Sequence, residues 1–175
     1  MPGVEVTVAR PEDRDALANM MQLYVHDFSE QWAGTSRGDL QDDGRFPAYP
    51  HWDAYWREAD RVPLLLRLDG PLIGFALLNG VAHSGLPVDR NMAEFFIARK
   101  YRRSGVGTAA AQKIFSRYPG LWEAAVARRN TGALAFWRNA IGRHPFAKDV
   151  EETDLSTSAW NGPVIRFRIR PSAVV

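Results

Sequence analysis

The sequence predicts an α/β (α+β) fold in which one mixed sheet of about seven strands is covered by about four helices. Three observations lead there. Two apolar runs flank Asp69-Gly70 as a hairpin, and several amphipathic helical stretches interrupt the strands. A strand, a turn, a helix and a second strand follow in succession from Met92 to Ala127, which is the pattern of a parallel crossover. Hairpins in the first half and one crossover in the middle imply strands of both orientations in one sheet.

Val4 to Val8 alternates as a first strand. Pro11 then occupies a first helical turn, with Glu12, Asp13 and Asp15 suited to its positive end. Leu17, Met20, Met21, Tyr24, Val25 and Phe28 recur at helical spacing behind it. Residues 29–50 hold Gly34, Gly38, Gly44, Pro47 and Pro50 among polar groups, which predicts a long loop of the kind that often carries function. Trp52, Tyr55 and Trp56 share one face of a short second helix. Leu64 to Leu68 and Leu72 to Leu78 form the hairpin. A strand ends near Ala98, and a helix runs from Val106 to Tyr118, stopped by Pro119-Gly120. Trp122 to Ala127 is the next strand, Gly132 to Ile141 a helix, and Val164 to Ile169 a half-exposed last strand. His144 to Leu155 is ambiguous and has room for one more strand. No repeat or linker divides residues 1–175, so a single domain is expected.

Composition narrows the chemistry. There is no cysteine, which excludes disulfides, a thiolate nucleophile and cysteine-ligated metal. His26, His51, His83 and His144 are scattered without ligand spacing, so no metal site is expected. The start lacks a basic segment followed by an apolar one, and no apolar run is long enough to cross a bilayer. A cytoplasmic protein without a membrane partner is the expectation. With 22 basic and 20 acidic residues the net charge is only +2, but the charges are unevenly spread. Acids dominate from Asp27 to Asp60, and four of the five residues from Arg99 to Arg103 are cationic.

That cationic run is the most telling segment. Strand-like Met92 to Ala98 leads into Arg99-Lys100-Tyr101-Arg102-Arg103-Ser104-Gly105-Val106-Gly107-Thr108, and a small-residue helix start follows. The first N–H groups of a helix have no internal partner and sit at the positive end of its dipole. Glycines admit a bulky phosphate, and arginines add paired donors. A phosphate-bearing cofactor at this turn is therefore expected. Gly105-x-Gly107-x-x-Ala110 also fits a dinucleotide fingerprint. Six mainly cationic residues separate it from the strand, Glu123 opens rather than ends the next strand, and successive β-α units are missing, so that reading is rejected. A triphosphate-binding loop fails for want of a Gly-Lys-Ser/Thr ending. Nucleic-acid binding through Arg99–Arg103, Arg128 and Arg129 is not expected, because the patch is short and matches no known module.

Arg102-x-x-Gly105-x-Gly107 resembles the cofactor turn of the GCN5-related N-acetyltransferase (GNAT) superfamily, written Gln/Arg-x-x-Gly-x-Gly/Ala. Ile97-x-Arg99-x-x-Arg102 resembles the lead-in of that turn, although the family often has proline where Arg99 stands. Asn130-x-x-Ala133-x-x-Phe136-Trp137 resembles its second signature, which usually ends in Phe-Tyr, and the element order is also similar over nearly the whole chain. The resemblance implies a mostly antiparallel sheet and acetyl-CoA, or another acyl-CoA, as acyl donor. It implies that the backbone from Arg103 through Ser104, Gly105, Val106 and Gly107 to Thr108 holds the pyrophosphate, with Arg102 at the turn. It places the pantetheine arm along Phe95, Phe96 and Ile97 as an added strand. Asn130, Ala133 and Phe136 would line the far side, with Arg99, Lys100 or Arg138 near the adenosine phosphates.

Catalytic expectations follow. Glu94 interrupts an apolar strand, and a buried carboxylate is costly unless bonded, so Glu94 is either a general base for the incoming ammonium or a structural acceptor. The main-chain N–H of Ile97 would steady the developing oxyanion. Trp137 stands where relatives have a tyrosine acid and cannot replace it, because an indole N–H is no acid near neutral pH. It is read as a channel wall, and water, Tyr24, Tyr49 or Tyr101 is left to act as the acid. Tyr24, His26 and Trp32 are expected on the substrate side. The aromatic and acidic residues between Asp27 and Asp60 favour a cationic or amine-bearing acceptor. The expected activity is direct transfer of an acetyl group to a primary amine of a small molecule or peptide, within a ternary complex. The alternative is a sensor that binds acyl-CoA and transfers nothing. A homodimer is left open.

Overall fold

Apolar runs and turn residues sort the chain into seven strands, three α-helices and four short 3-10 turns among residues 3–172, which the computed structural model describes. The strands are β1 (Val4–Val8), β2 (Val62–Leu68), β3 (Leu72–Asn79), β4 (Arg90–Ile97), β5 (Gly120–Ala125), β6 (Ala147–Ser156) and β7 (Asn161–Ile169). The helices are α1 (Arg14–Ser29), α2 (Val106–Arg117) and α3 (Thr131–Gly142). The sheet order is β1-β2-β3-β4-β5-β7-β6. Only the β4–β5 pair is parallel. Among the described residues no helix is long and apolar enough to cross a membrane.

One expected element needs correction. The fourth helix is a five-residue 3-10 turn, Trp52–Trp56, entered through His51 at φ 58°. So few residues cannot repay the cost of starting an α-helix. The ambiguous stretch after His144 is β6, an edge strand exposed along almost its whole length. Its lack of alternation reflects solvent on both faces, and its acids Glu151, Glu152 and Asp154 stand along the rim. The hairpin is as expected: Asp69 and Gly70 both take positive φ, at 49° and 108°, as a tight primed turn requires.

Side-chain alternation divides the core between the two faces of the sheet. On one face α2 and α3 pack Ala110, Ile114, Phe115, Trp137 and Ile141 against Leu64, Leu66, Ala76, Trp122 and Phe167. On the other, α1 and the Trp52–Trp56 turn pack Leu17, Met21 and Tyr55 against Leu65, Phe75, Leu77 and Phe96.

The middle of the sheet is open. β4 pairs with β5 only at Arg90↔Trp122 and Asn91↔Glu123, so Met92 to Ile97 run on without a β5 partner. The closed end is held by polar residues in register across four strands: Asn79↔Asn91, Asn91↔Glu123 and Glu123↔Arg166. Asn91 Nδ2 donates to Asn79 Oδ1 at 3.1 Å. Fully buried Glu123 accepts from the N–H of His83 at 2.5 Å, the N–H of Ser84 at 3.2 Å, the Ser84 hydroxyl, and Arg166 at 3.1 Å. A buried carboxylate survives when it is paired and bonded in this way. These bonds pin the loop before β4 onto β5.

On the other side β4 is pressed close to β3. A Cβ placed on Gly74 would lie 1.9 Å from the Phe96 carbonyl oxygen. Gly74→Ala is therefore expected to destabilise the fold by about 2 kcal/mol, through forced separation of the two strands. Urea denaturation of the two proteins measures the difference.

Candidate active site

The opening between β4 and β5 meets the cationic turn at the start of α2. After Ile97 the chain makes a 3-10 turn, Arg99–Tyr101, tightened by the Ser104 hydroxyl donating to Tyr101 O at 2.8 Å. Arg103 (φ 63°) and Gly105 (φ 81°) then reverse the backbone into the helix. The first bond closing α2 runs from Ala109 N to Gly105 O at 3.0 Å, so the N–H groups of Val106, Gly107 and Thr108 lie ahead of the ladder. Gly107 lets α2 approach α3: a Cβ there would stand 3.3 Å from the Phe136 ring.

Strand geometry turns β4 toward the same opening. Ala98 N donates to Ile73 O at 2.8 Å, on the β3 side. Peptide groups alternate along a strand, so those of Ile97 and Phe95 point away from β3, into the gap. Ile97 O accepts from Arg102 Nε at 2.6 Å. The Phe95 ring stacks on Phe136, with centroids 5.5 Å apart at 24°. The result is a cleft of about 530 Å³.

Most of the cofactor residues expected from the sequence lie on this cleft. Phe95, Phe96 and Ile97 form its strand side, Arg102, Arg103, Gly105, Gly107 and Thr108 its turn, and Asn130, Ala133 and Phe136 its far wall. Three do not line it. Val106 is buried in the core, and the Ser104 side chain is spent within the turn. Arg138 makes a two-pronged pair with Glu152 of β6, at 2.8 and 2.6 Å. Asn130 also has a structural duty, because its side chain accepts from Ala133 N at 3.1 Å and caps α3. Trp137 is not a wall of the cleft. Only 6% exposed, it packs edge-on to Phe95 and against Phe115 within the core.

On the α1 side, Tyr24, Asp27, Phe28 and Gln31 complete the lining. Behind them sits Glu94. Regular alternation from Phe96 puts the Glu94 side chain on the α1 face, opposite Leu77, and a bulge just beyond it, with Leu78 opposite Met92, returns Met92 to the other face. The hydroxyl of Tyr24 donates to Oε2, and that of Tyr49 donates to Oε1 at 2.8 Å. Burial raises the Glu94 pKa above the usual carboxylate value; the two tyrosine bonds and the charge of Arg37 oppose that rise without cancelling it. Burial, and then the neighbouring Glu94 charge, raises both tyrosines above their ordinary value, so they remain hydroxyl donors at neutral pH. Glu94 does not itself line the cleft; Tyr24 stands between. The group can therefore take up a proton delivered through the Tyr24 hydroxyl. The sequence offers Tyr49, in the irregular loop, only as a possible acid; its bond to Glu94 emerges from the fold.

The remaining expected residues lie farther out. His26 has a side chain 72% exposed, its ring edge-on to Phe46. Trp32 rests on Phe28 and lies beneath Arg37. Of the acidic stretch only Asp27 reaches the cleft among the described residues. Asp53 and Glu58 face a separate groove beyond Tyr49, and Asp27 is bound by Arg99 at 2.9 Å and by Arg102. Burial acts to raise the Asp27 pKa, but the bonds from the two arginines outweigh it and hold the carboxyl below its ordinary value. Asp27 thus clasps α1 to the cationic turn. Among the described residues no group of three or more histidine or acidic side chains is placed to hold a metal ion.

The sequence matches the acetyltransferase (GNAT) family model over residues 17–142, and the chain belongs to that family. Comparison with curated proteins finds no match. Several solved structures share the fold. An acetyltransferase from Thermus thermophilus is 14% identical with a TM-score of 0.61, over 97% of each chain. A spermidine N-acetyltransferase from Vibrio cholerae, in complex with CoA and spermine, is 11% identical with a TM-score of 0.59, over 95% of this chain and 94% of that one. A paia N-acetyltransferase from Thermoplasma acidophilum, in complex with coenzyme A, is 15% identical with a TM-score of 0.55, over 96% of this chain and 99% of that one.

The Asp27 clasp has a measurable signature. Because its pKa is depressed by folding, Asp27 stabilises the protein above its unfolded value, and the contribution fades as pH falls through the folded value. Asp27→Asn is expected to lower stability by about 1 kcal/mol at neutral pH, since Arg99 remains well solvated. The gap between variant and parent in thermal melts should close on acidification below the ordinary aspartate range.

Proposed function

We propose that this protein transfers an acetyl or other acyl group from acyl-CoA to a primary amine, by direct attack within a ternary complex. One observation carries the reading: a desolvated carboxylate is wired through a cleft-lining tyrosine into the same opening that holds unpaired strand and helix N–H groups.

The residues present suit acetyl-CoA. The N–H groups of Val106, Gly107 and Thr108, with Arg103, suit a diphosphate. The Phe95 peptide group has no β5 partner and suits an amide of a pantetheine arm laid beside β4, which leaves the Ile97 N–H for the acyl group. Bound there, acetyl-CoA supplies an acyl group activated as a thioester.

The chain's own groups then divide the work. The turn and β4 hold the donor, and α1 presents the acceptor, so that positioning supplies much of the rate. Ile97 N–H donates to the acyl carbonyl oxygen and stabilises charge there. The amine proton passes to the Tyr24 oxygen while the Tyr24 hydroxyl proton moves to Glu94 Oε2. Burial readies Glu94 for this task by making its protonated form easier to reach.

Glu94→Gln and Tyr24→Phe are each expected to lower turnover by about a hundredfold while leaving acetyl-CoA affinity within about twofold. CoA thiol release with a panel of amines measures the first quantity, and the melting-temperature rise with acetyl-CoA measures the second. Turnover of the parent should fall as pH drops through the raised Glu94 value, since only the ionised carboxylate accepts a proton. Glu94→Gln should lack that limb. Unchanged turnover in both variants would remove Glu94 and Tyr24 from the mechanism. A sensor that only binds acyl-CoA would give the melting shift with no thiol release from any amine.

A further inference from the structure

An aromatic ladder runs outward from the buried carboxylate along α1. Tyr24, bonded to Glu94, is followed one helical turn later by Phe28, with centroids 5.7 Å apart. Trp32 comes next, 5.1 Å from Phe28. The ladder ends in a cation: the Arg37 guanidinium carbon lies 4.4 Å from the centre of the Trp32 ring.

The turn that carries Arg37 is built onto that ring. A Cβ on Gly38 (φ 78°) would stand 2.6 Å from Trp32 Cε3, so the backbone lies directly against the indole. The Thr35 hydroxyl donates to Trp32 O at 2.7 Å and accepts from Arg37 N at 3.3 Å. Neighbouring arginines are spent: Arg99 and Arg102 on Asp27, and Arg129 on Gln31 O at 3.1 Å. Arg37 differs. Among the described residues no carboxylate lies within 4.0 Å of it. Its charge nevertheless reaches the proton-accepting end of the ladder, where it opposes the rise in pKa of both Glu94 and Tyr24.

We infer that the acceptor is an amine bearing a carboxylate at its other end, and that Arg37, shelved on Trp32, is the residue that selects it. The inference rests on the transferase reading and names the substrate class for the α1 end of that cleft, where Tyr24 and Phe28 line the wall and Trp32 and Arg37 stand beyond them. An acceptor lying along Tyr24, Phe28 and Trp32 brings its amine to Tyr24 and its far end to an unpaired guanidinium. A carboxylate there gains a charge-assisted, two-pronged bond. A second ammonium there meets a like charge, and Asp27, already bound by two arginines, offers it little.

The test measures kcat/KM by CoA thiol release for glycine, 4-aminobutyrate, 6-aminohexanoate and triglycine. Each is compared with its carboxamide, and 1,4-diaminobutane and spermidine are included. For at least one member the acid is expected to exceed its amide by about tenfold or more, with free amino acid and peptide told apart by which member it is. Arg37→Gln should bring that ratio close to one, and Arg37→Lys should keep part of it. Melting temperatures without ligand check that each variant is folded. The inference is overturned if amides or diamines match the acids, or if Arg37→Gln leaves the ratio in place. It is equally overturned if that variant instead raises the KM for acetyl-CoA, which would put Arg37 on the donor. Thiol release with amides or diamines alone leaves the transferase reading standing. No thiol release with any amine, despite an acetyl-CoA melting shift, removes both.

Discussion

The organisation of this protein depends on a strand pairing that stops early. β4 and β5 share two residue pairs and then separate. Had they continued, the peptide groups of Phe95 and Ile97 would be spent on the sheet. Separation leaves them facing a gap, where a ligand can take the place of the missing strand. The gap stays open because both of its sides are fixed elsewhere. Asn79, Asn91, Glu123 and Arg166 lock the closed end, Gly74 presses β4 onto β3, and β5 is paired along its whole length with β7.

A second consequence is a division of labour across one strand. Phe95 and Ile97 belong to the α2–α3 face, and Phe96 belongs to the α1 face together with the Glu94 head group. Alternation along β4 sets this division, and the register shift just beyond Glu94 returns Met92 to the α2–α3 face. The groups proposed to hold the donor and those proposed to accept the proton therefore sit on opposite faces within a few residues. Asp27 connects the two sides through Arg99 and Arg102, so the helix that presents Tyr24 is tied to the turn that suits a diphosphate.

Much of this was legible in the sequence, for identifiable reasons. The helices α1, α2 and α3 keep a period of 3.6, and the Asp69-Gly70 hairpin shows as two continuous apolar runs because β2 and β3 are buried on both faces. The cationic turn was legible because its chemistry is local: glycines, arginines and a helix start lie within one short segment. What escaped depends on contacts distant in sequence. The bond from Tyr49 to Glu94 spans 45 residues and comes from a loop with no periodicity. Arg37 looked like one cation in an acidic stretch until Trp32 and Gly38 placed it. Arg138 has the right charge for a phosphate contact, but helical rotation gives it to Glu152 instead. Trp137 occupies a motif position, yet its ring is larger and more apolar than the family's tyrosine, and it is drawn into the core beside Phe115. β6 showed no pattern because solvent reaches it from both sides.

That last strand has a bearing on how copies of the molecule behave toward one another. An unpaired strand border is a ready template for accretion of further chains. Here the border carries Glu151, Glu152 and Asp154 close together, and Asp149 at φ 51° breaks its regular course. With Glu152 held by Arg138 and Asp154 by Arg128, an identical border drawn alongside would meet spent charges and a kinked line. The shape of this border thus works against strand-by-strand growth at this end of the sheet.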